Sequence, residues 1–128
     1  MAKILIVEDD KILNDAYRLT LERDEHKITT VSNGKEALLA AQQNEPDIIL
    51  LDILMPEMSG IEFLEQYDIL NKHPKVKVVI LSNLGEGGEV QRAMALGAYK
   101  YIVKAHESPE DLSTLVNHLI RKNLNSKT

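Results

Sequence analysis

The chain has 128 residues, 44% hydrophobic and 27% charged, with a formal net charge of −5 and no cysteine. That length suits one compact domain with a real core, and the missing thiols exclude a disulfide framework and thiol chemistry, which fits a reducing compartment. The acidic balance, with no basic block beyond Arg121-Lys122, argues against direct nucleic-acid binding.

No apolar run reaches membrane-spanning length, and the start Met-Ala-Lys-Ile carries no cleavage pattern. The expectation is a cytoplasmic domain without membrane attachment. A single domain is predicted over residues 1–123, followed by a polar C-terminal tail at 124–128.

Five strand-like runs alternate with helical patterns. The first run, Lys3–Val7, leads into a helix marked by Ile12, Ala16 and Leu19. The second, Lys27–Val31, precedes a helix marked by Ala37, Leu38 and Ala41. After Asp47–Leu51 comes a third helix with Ile61, Leu64 and Ile69 on its apolar face. After Val76–Leu81 comes a fourth, ending before Gly97, with Val90, Ala93 and Met94. Tyr99–Val103 is followed by Ser108-Pro109-Glu110-Asp111, a helix start built from a Ser cap, a first-turn Pro and dipole-favoured acids. Leu112, Leu115, Val116, Leu119 and Ile120 give this last helix its apolar face, and it is expected to end near Asn123.

Alternating strands and helices predict an α/β fold with a parallel sheet. Ile4–Val7, Ile48–Leu51 and Val78–Leu81 are almost wholly apolar, as strands covered on both faces should be. The other two runs are mixed and belong at the edges. A doubly wound five-stranded sheet of order 2-1-3-4-5, the flavodoxin-like (βα)5 arrangement, satisfies both conditions.

In such a sheet ligands bind beyond the carboxyl ends of the strands, where the order reverses between strands one and three. Strand one ends in Glu8-Asp9-Asp10, strand three in Asp52, strand four in Ser82 and strand five in Lys104. Clustered carboxylates require a cation or raised pKa values. Oxygen-only donors suit Mg²⁺, Lys104 is a second counter-charge, and the absence of nearby His or Cys disfavours zinc. A carboxylate beside Mg²⁺ and an ammonium is equipped to attack phosphorus. Asp52, the lone acid of its strand end, is best placed for that; Glu8 and Asp9 would hold the metal, and Asp10 would cap the first helix.

These residues carry a family resemblance. The stretches Ile-Val-Glu8-Asp9-Asp10, Leu-Leu-Asp52-Ile-Leu-Met-Pro56-Glu-Met-Ser-Gly60, Ile-Leu-Ser82 and Tyr101-Ile-Val-Lys104 resemble the response-regulator receiver domain of two-component signalling, over essentially the whole chain. The resemblance implies that Asp52 is the phospho-acceptor. It implies Mg²⁺ held by Asp9 directly, by Glu8 mainly through water, by Asp52 and by the backbone carbonyl of Leu54. Lys104 would pair with the phosphoryl group. Ser82 would hydrogen-bond it and draw its loop inward, and Tyr101 would be the aromatic switch that follows. Pro56 and Gly60 would shape the loop after Asp52.

It further implies a sensor histidine kinase or histidine phosphotransfer protein as donor, and a protein target met through the fourth helix, fifth strand and fifth helix. A phosphorylation-dependent dimer is compatible with this. Such a domain catalyses only its own modification and its reversal and is not a turnover enzyme. The alternative is a receiver-like module that binds partners without phosphorylation. An aspartate-nucleophile phosphatase needs Asp-x-Asp where Glu8 begins the acidic run. A flavin module needs a Ser/Thr/Gly phosphate loop where Glu8-Asp9-Asp10-Lys11 would repel phosphate.

Two positions depart from the family pattern. Ala105 stands where a cis-proline is usual; a non-proline cis bond costs about 3–4 kcal/mol, so the loop is either trans or strained. Asn83 stands where a small residue is usual, and would either obstruct the phosphoryl group or hydrogen-bond it. Leu54 and Leu84 would flank the site with apolar bulk, which predicts slow hydrolysis of an aspartyl phosphate. Gly85-Glu86-Gly87-Gly88 reads as a flexible lead-in to the fourth helix. His26, His73, His106 and His118 lack metal-ligand spacing and are expected in solvent.

Overall fold

The chain's structure, a computed structural model, describes residues 2–55 and 57–126, with side chains through Lys122. Pro56, expected to shape the loop after Asp52, lies outside the described residues, as do 127–128 of the expected tail.

The five strand-like runs become strands β1 Lys3–Val7, β2 Lys27–Val31, β3 Ile48–Asp52, β4 Lys77–Ser82 and β5 Lys100–Val103. All pair in parallel in the anticipated order β2-β1-β3-β4-β5. β3 is buried along its whole length, whereas the edge strands β2 and β5 carry several exposed residues. The third and fourth runs each sit one residue later than expected. As a result Asp52 and Ser82 are the last members of their strands, opposite Leu81 and Val103.

The helices are α1 Lys11–Glu22, α2 Gly34–Gln43, α3 Gly60–Tyr67, α4 Ile69–Lys72, α5 Gly87–Ala95 and α6 Pro109–Ser126. The expected third helix is thus broken in two. Asp68 takes a left-handed conformation (φ 55°) that ends α3, and its carboxylate then accepts from Asn71 Nδ2–H in the next turn. The expected fourth and fifth helices are α5 and α6, and α6 runs three residues past Asn123. Its start is fixed as anticipated: Asp111 N–H donates to Ser108 Oγ, and Ser108 N–H donates to the Asp111 carboxylate.

Strand alternation divides the core between the two faces. Leu5, Val7, Ile49, Leu51, Val78 and Ile80 pack under α2, α3 and α5. Ile4, Ile6, Ile48, Leu50, Val79, Leu81 and Ile102 pack under α1 and α6. Each side chain so buried contributes about 1.5–3 kcal/mol of transfer free energy, which holds the strand ends rigidly in place.

The inward face of α1 is not the one expected. Ile12 and Leu19 are exposed, at 83% and 56%, and Ala16 is half-buried. Asn14, Tyr17, Thr20 and Leu21 face inward instead. Asn14 tolerates burial because its Nδ2 donates to the Glu8 and Val31 carbonyls, at 2.9 and 3.2 Å, and ties α1 to β1 and β2.

Two of the histidines also depart from expectation. His73 stacks on Tyr67 with its ring 2.6 Å from Glu45 Oε2, and His26 lies 2.8 Å from Asn117 Oδ1; both are half-buried. His106 and His118 are exposed.

Candidate functional site

The three acids that end β1 have three different surroundings. Glu8 is buried, and its Oε2 accepts the Asp10 backbone N–H at 3.1 Å. Asp9 is exposed. Asp10 caps α1 as anticipated, accepting the Leu13 N–H at 3.1 Å. Glu8 and Asp52 follow Ile6 and Leu50 by two residues, so strand alternation brings them to the same face.

Glu8, Asp9 and Asp52 each bring an oxygen into one cluster whose atoms lie within 4.8 Å of one another. Lys104 reaches this cluster from the end of β5. Its Nζ is 2.7 Å from Glu8 Oε1 and 3.2 Å from Asp52 Oδ1. The departure at Ala105 does not misdirect it: Lys104–His106 form a 3₁₀ turn, and no described peptide bond is cis.

Burial of Asp52, then the close Asp9 carboxyl and the Glu8 charge, push the Asp52 carboxyl up to about 8, against the pull of Lys104. Burial disfavours the Lys104 ammonium, but Glu8 and Asp52 outweigh it and hold its pKa above the ordinary value. Beyond that ammonium, Glu8 Oε1 and Asp52 Oδ1 take no hydrogen bond from the described residues. Crowded carboxylate oxygens, two of them buried and short of donors, are the donor set a small hard cation fits. Glu8, Asp9 and Asp52 would hold it. Leu54, whose carbonyl was expected to join them, lies two residues past Asp52 with its side chain half-exposed.

Gly60 fixes the loop that follows Asp52. Its N–H donates to the Ile53 carbonyl at 3.0 Å, and a Cβ there would meet the Asp52 carbonyl oxygen at 2.6 Å. Ser82 is buried, and its Oγ–H donates to the Ile102 carbonyl at 2.9 Å. Tyr101, on the neighbouring strand, is 49% exposed. Ser82 and Tyr101 both line a groove of about 450 Å³ between α5 and β5, and Leu84 lines it as well. Leu54 lines a different groove, between α3 and α5.

Two residues near the site were not singled out. Tyr17 is fully buried beneath it, and its hydroxyl has no partner among the described residues. Burial, then the charges of Glu8, Asp52 and Asp10, push that hydroxyl far above its ordinary pKa. Glu86 is buried as well and grips Asn83. The only trace of either in the sequence is a Tyr between Ala16 and Arg18 and an acid between glycines.

The response regulator receiver domain family model matches residues 4–117. The chain belongs to this family. The receiver is 36% identical over 116 residues to the chemotaxis protein CheY of Listeria monocytogenes, covering 90% of this chain and 96% of that protein. It is 32% identical over 122 residues to the phosphate regulon transcriptional regulatory protein PhoB of Rhizobium meliloti, covering 95% of this chain but 53% of that regulator. It thus spans nearly all of one relative and about half of the other. Its fold is close to that of a receiver domain protein from Methanospirillum hungatei (TM-score 0.85, 27% identity, 98% of each chain covered). It is similarly close to CheY4 of Vibrio cholerae (TM-score 0.82, 29% identity, 92% and 98% covered). The receiver is a two-component signalling domain, and among its described residues no helix is long and apolar enough to cross a membrane.

Proposed function

We propose that this receiver accepts a phosphoryl group on Asp52 from a phosphohistidine donor and relays the event to a protein partner. The observation that carries the reading is the meeting of Glu8, Asp9 and Asp52 oxygens with the Lys104 ammonium at the switch point of the sheet.

An Asp52 carboxylate oxygen attacks phosphorus, the P–N bond to the donor imidazole breaks, and the imidazole leaves with its electron pair and takes up a proton. Asp9 and Asp52, with Glu8 mainly through water and the Leu54 carbonyl as a further ligand, would hold Mg²⁺, which would supply charge neutralisation for the transferring group. Lys104 moves from its pairing with Asp52 to the phosphoryl oxygens. Ser82 exchanges the Ile102 carbonyl for a phosphoryl oxygen, and Tyr101 turns from solvent into the groove beside α5. The face changed is that of α5, β5 and α6, where the downstream protein would dock. The receiver performs one transfer on itself and does not turn over external substrate.

Intact mass after incubation with acetyl phosphate and Mg²⁺ tests this. One added phosphoryl group in the wild type and none in Asp52→Asn is the expected result. No gain in the wild type, with Mg²⁺ bound, favours instead a receiver that binds partners without phosphorylation.

A further inference from the structure

Asn83 follows Ser82 directly, where the β4 ladder beside Asp52 ends. The phosphoryl group expected on Asp52 would therefore arrive next to the Asn83 backbone amide. That amide is already engaged. Glu86 Oε1 accepts the Asn83 backbone N–H at 2.7 Å, and Glu86 Oε2 accepts Asn83 Nδ2–H at 3.3 Å. Glu86 is only 8% exposed, although it stands at the N-cap of α5 and makes no side-chain cap to its own helix. Its carboxylate is turned back toward the end of β4. In the unmodified fold, then, Asn83 is held by a buried carboxylate.

We propose that Glu86 is a positioning residue, a built-in anion that competes with the phosphoryl group on Asp52 for the Asn83 amide. A single N–H cannot serve a carboxylate and a phosphoryl oxygen at full strength, so one anion displaces the other. The loop is built to permit the exchange. Gly85 takes a positive φ of 89° with open space around it, and the groove beyond Glu86 leads to Tyr101. Freeing Glu86 releases the residue that precedes α5, which couples the acceptor to the helix of the signalling face. This proposal rests on the phospho-acceptor reading above.

The test uses the full chain with Mg²⁺ and beryllofluoride, a non-covalent stand-in for the phosphoryl group, in wild type, Glu86→Gln and Asp52→Asn. Gln keeps the shape and supplies a neutral, weaker acceptor, so Glu86→Gln is expected to bind the probe roughly 3–10-fold more tightly. A merely structural loop contact would leave affinity equal or weaken it. In ¹⁵N-labelled wild type the Asn83 amide resonance is expected to move on binding. An unmoved Asn83 resonance in the wild type, which needs no variant to fold, overturns the proposal. So does equal or weaker binding by folded Glu86→Gln; in both cases the acceptor reading stands. Absence of any Asp52-dependent binding overturns the acceptor reading itself, and this proposal with it.

Discussion

Lys104 Nζ stands 2.7 Å from Glu8 Oε1, nearer than it stands to Asp52. The cation of the site is thus shared, and its shorter contact is with Glu8 and not with Asp52. Asp52 is left as a buried carboxyl with acids on two sides and half a counter-charge, and its pKa lies near 8.

That shift makes stability depend on pH. An unfolded Asp titrates near 3.8, so between pH 4 and 8 the folded protein holds a proton that the unfolded chain lacks. Stability therefore falls as pH rises through that window in metal-free buffer. Asp52→Asn removes this term. Urea unfolding at pH 5 and pH 8 with a chelator is expected to show the wild type losing about 3 kcal/mol more than Asp52→Asn. Parallel losses in the two proteins would mean that Asp52 is ionised throughout.

A cation at the acidic cluster should reverse the penalty. Mg²⁺ at ten times its Kd is expected to stabilise the wild type by about 1.4 kcal/mol, or about 4 °C in Tm. Asp9→Asn removes an exposed donor without opening the core, so it should fold normally and lose the response. Thermal scans against Mg²⁺ concentration check this, and an undiminished shift in Asp9→Asn would move the metal elsewhere.

The strand-end residues were legible because a parallel sheet places them by topology alone. Four strand-like runs ending in Glu8-Asp9, Asp52, Ser82 and Lys104 leave little freedom once the order is 2-1-3-4-5. The inward face of α1 was not legible, because its apolar Ile12 and Leu19 point outward while Asn14 is buried through two backbone hydrogen bonds. Nor was the break at Asp68, since an Asp in left-handed conformation leaves no mark on the apolar spacing. Glu86 was hidden for a similar reason: burial of an acid depends on a local donor, here the Asn83 amide, and hydrophobic patterning does not report it.

Ser82 should separate acceptance from relay. Its hydroxyl is tied to the Ile102 carbonyl in the resting fold, and Ser82→Ala is expected to cost about 1 kcal/mol. The Asp52 carboxyl is untouched by this change, so phosphoryl transfer to it should persist, while Tyr101 should no longer respond. The chain has four tyrosines, so ¹⁹F spectra of fluorotyrosine-labelled protein give a countable set of signals. A Tyr101 signal that still moves in phosphorylated Ser82→Ala would remove Ser82 from the relay.

Gly60 should matter to the acceptor through space and not through chemistry. A Cβ at this position would lie 2.6 Å from the Asp52 carbonyl oxygen and 3.0 Å from Ile53 Cα, both backbone atoms that yield only if the end of β3 moves. Gly60→Ala is therefore expected to cost roughly 2 kcal/mol through overpacking, and to slow modification of Asp52 by displacing it. Gly88→Ala is the contrast. It lies in the first turn of α5 with nothing within 4 Å of its added Cβ, so the better helix former should stabilise the fold by about 0.5–1 kcal/mol. Urea midpoints and the rate of mass gain from acetyl phosphate distinguish the two. Equal effects of both substitutions would show that the close approach at Gly60 does not position the acceptor.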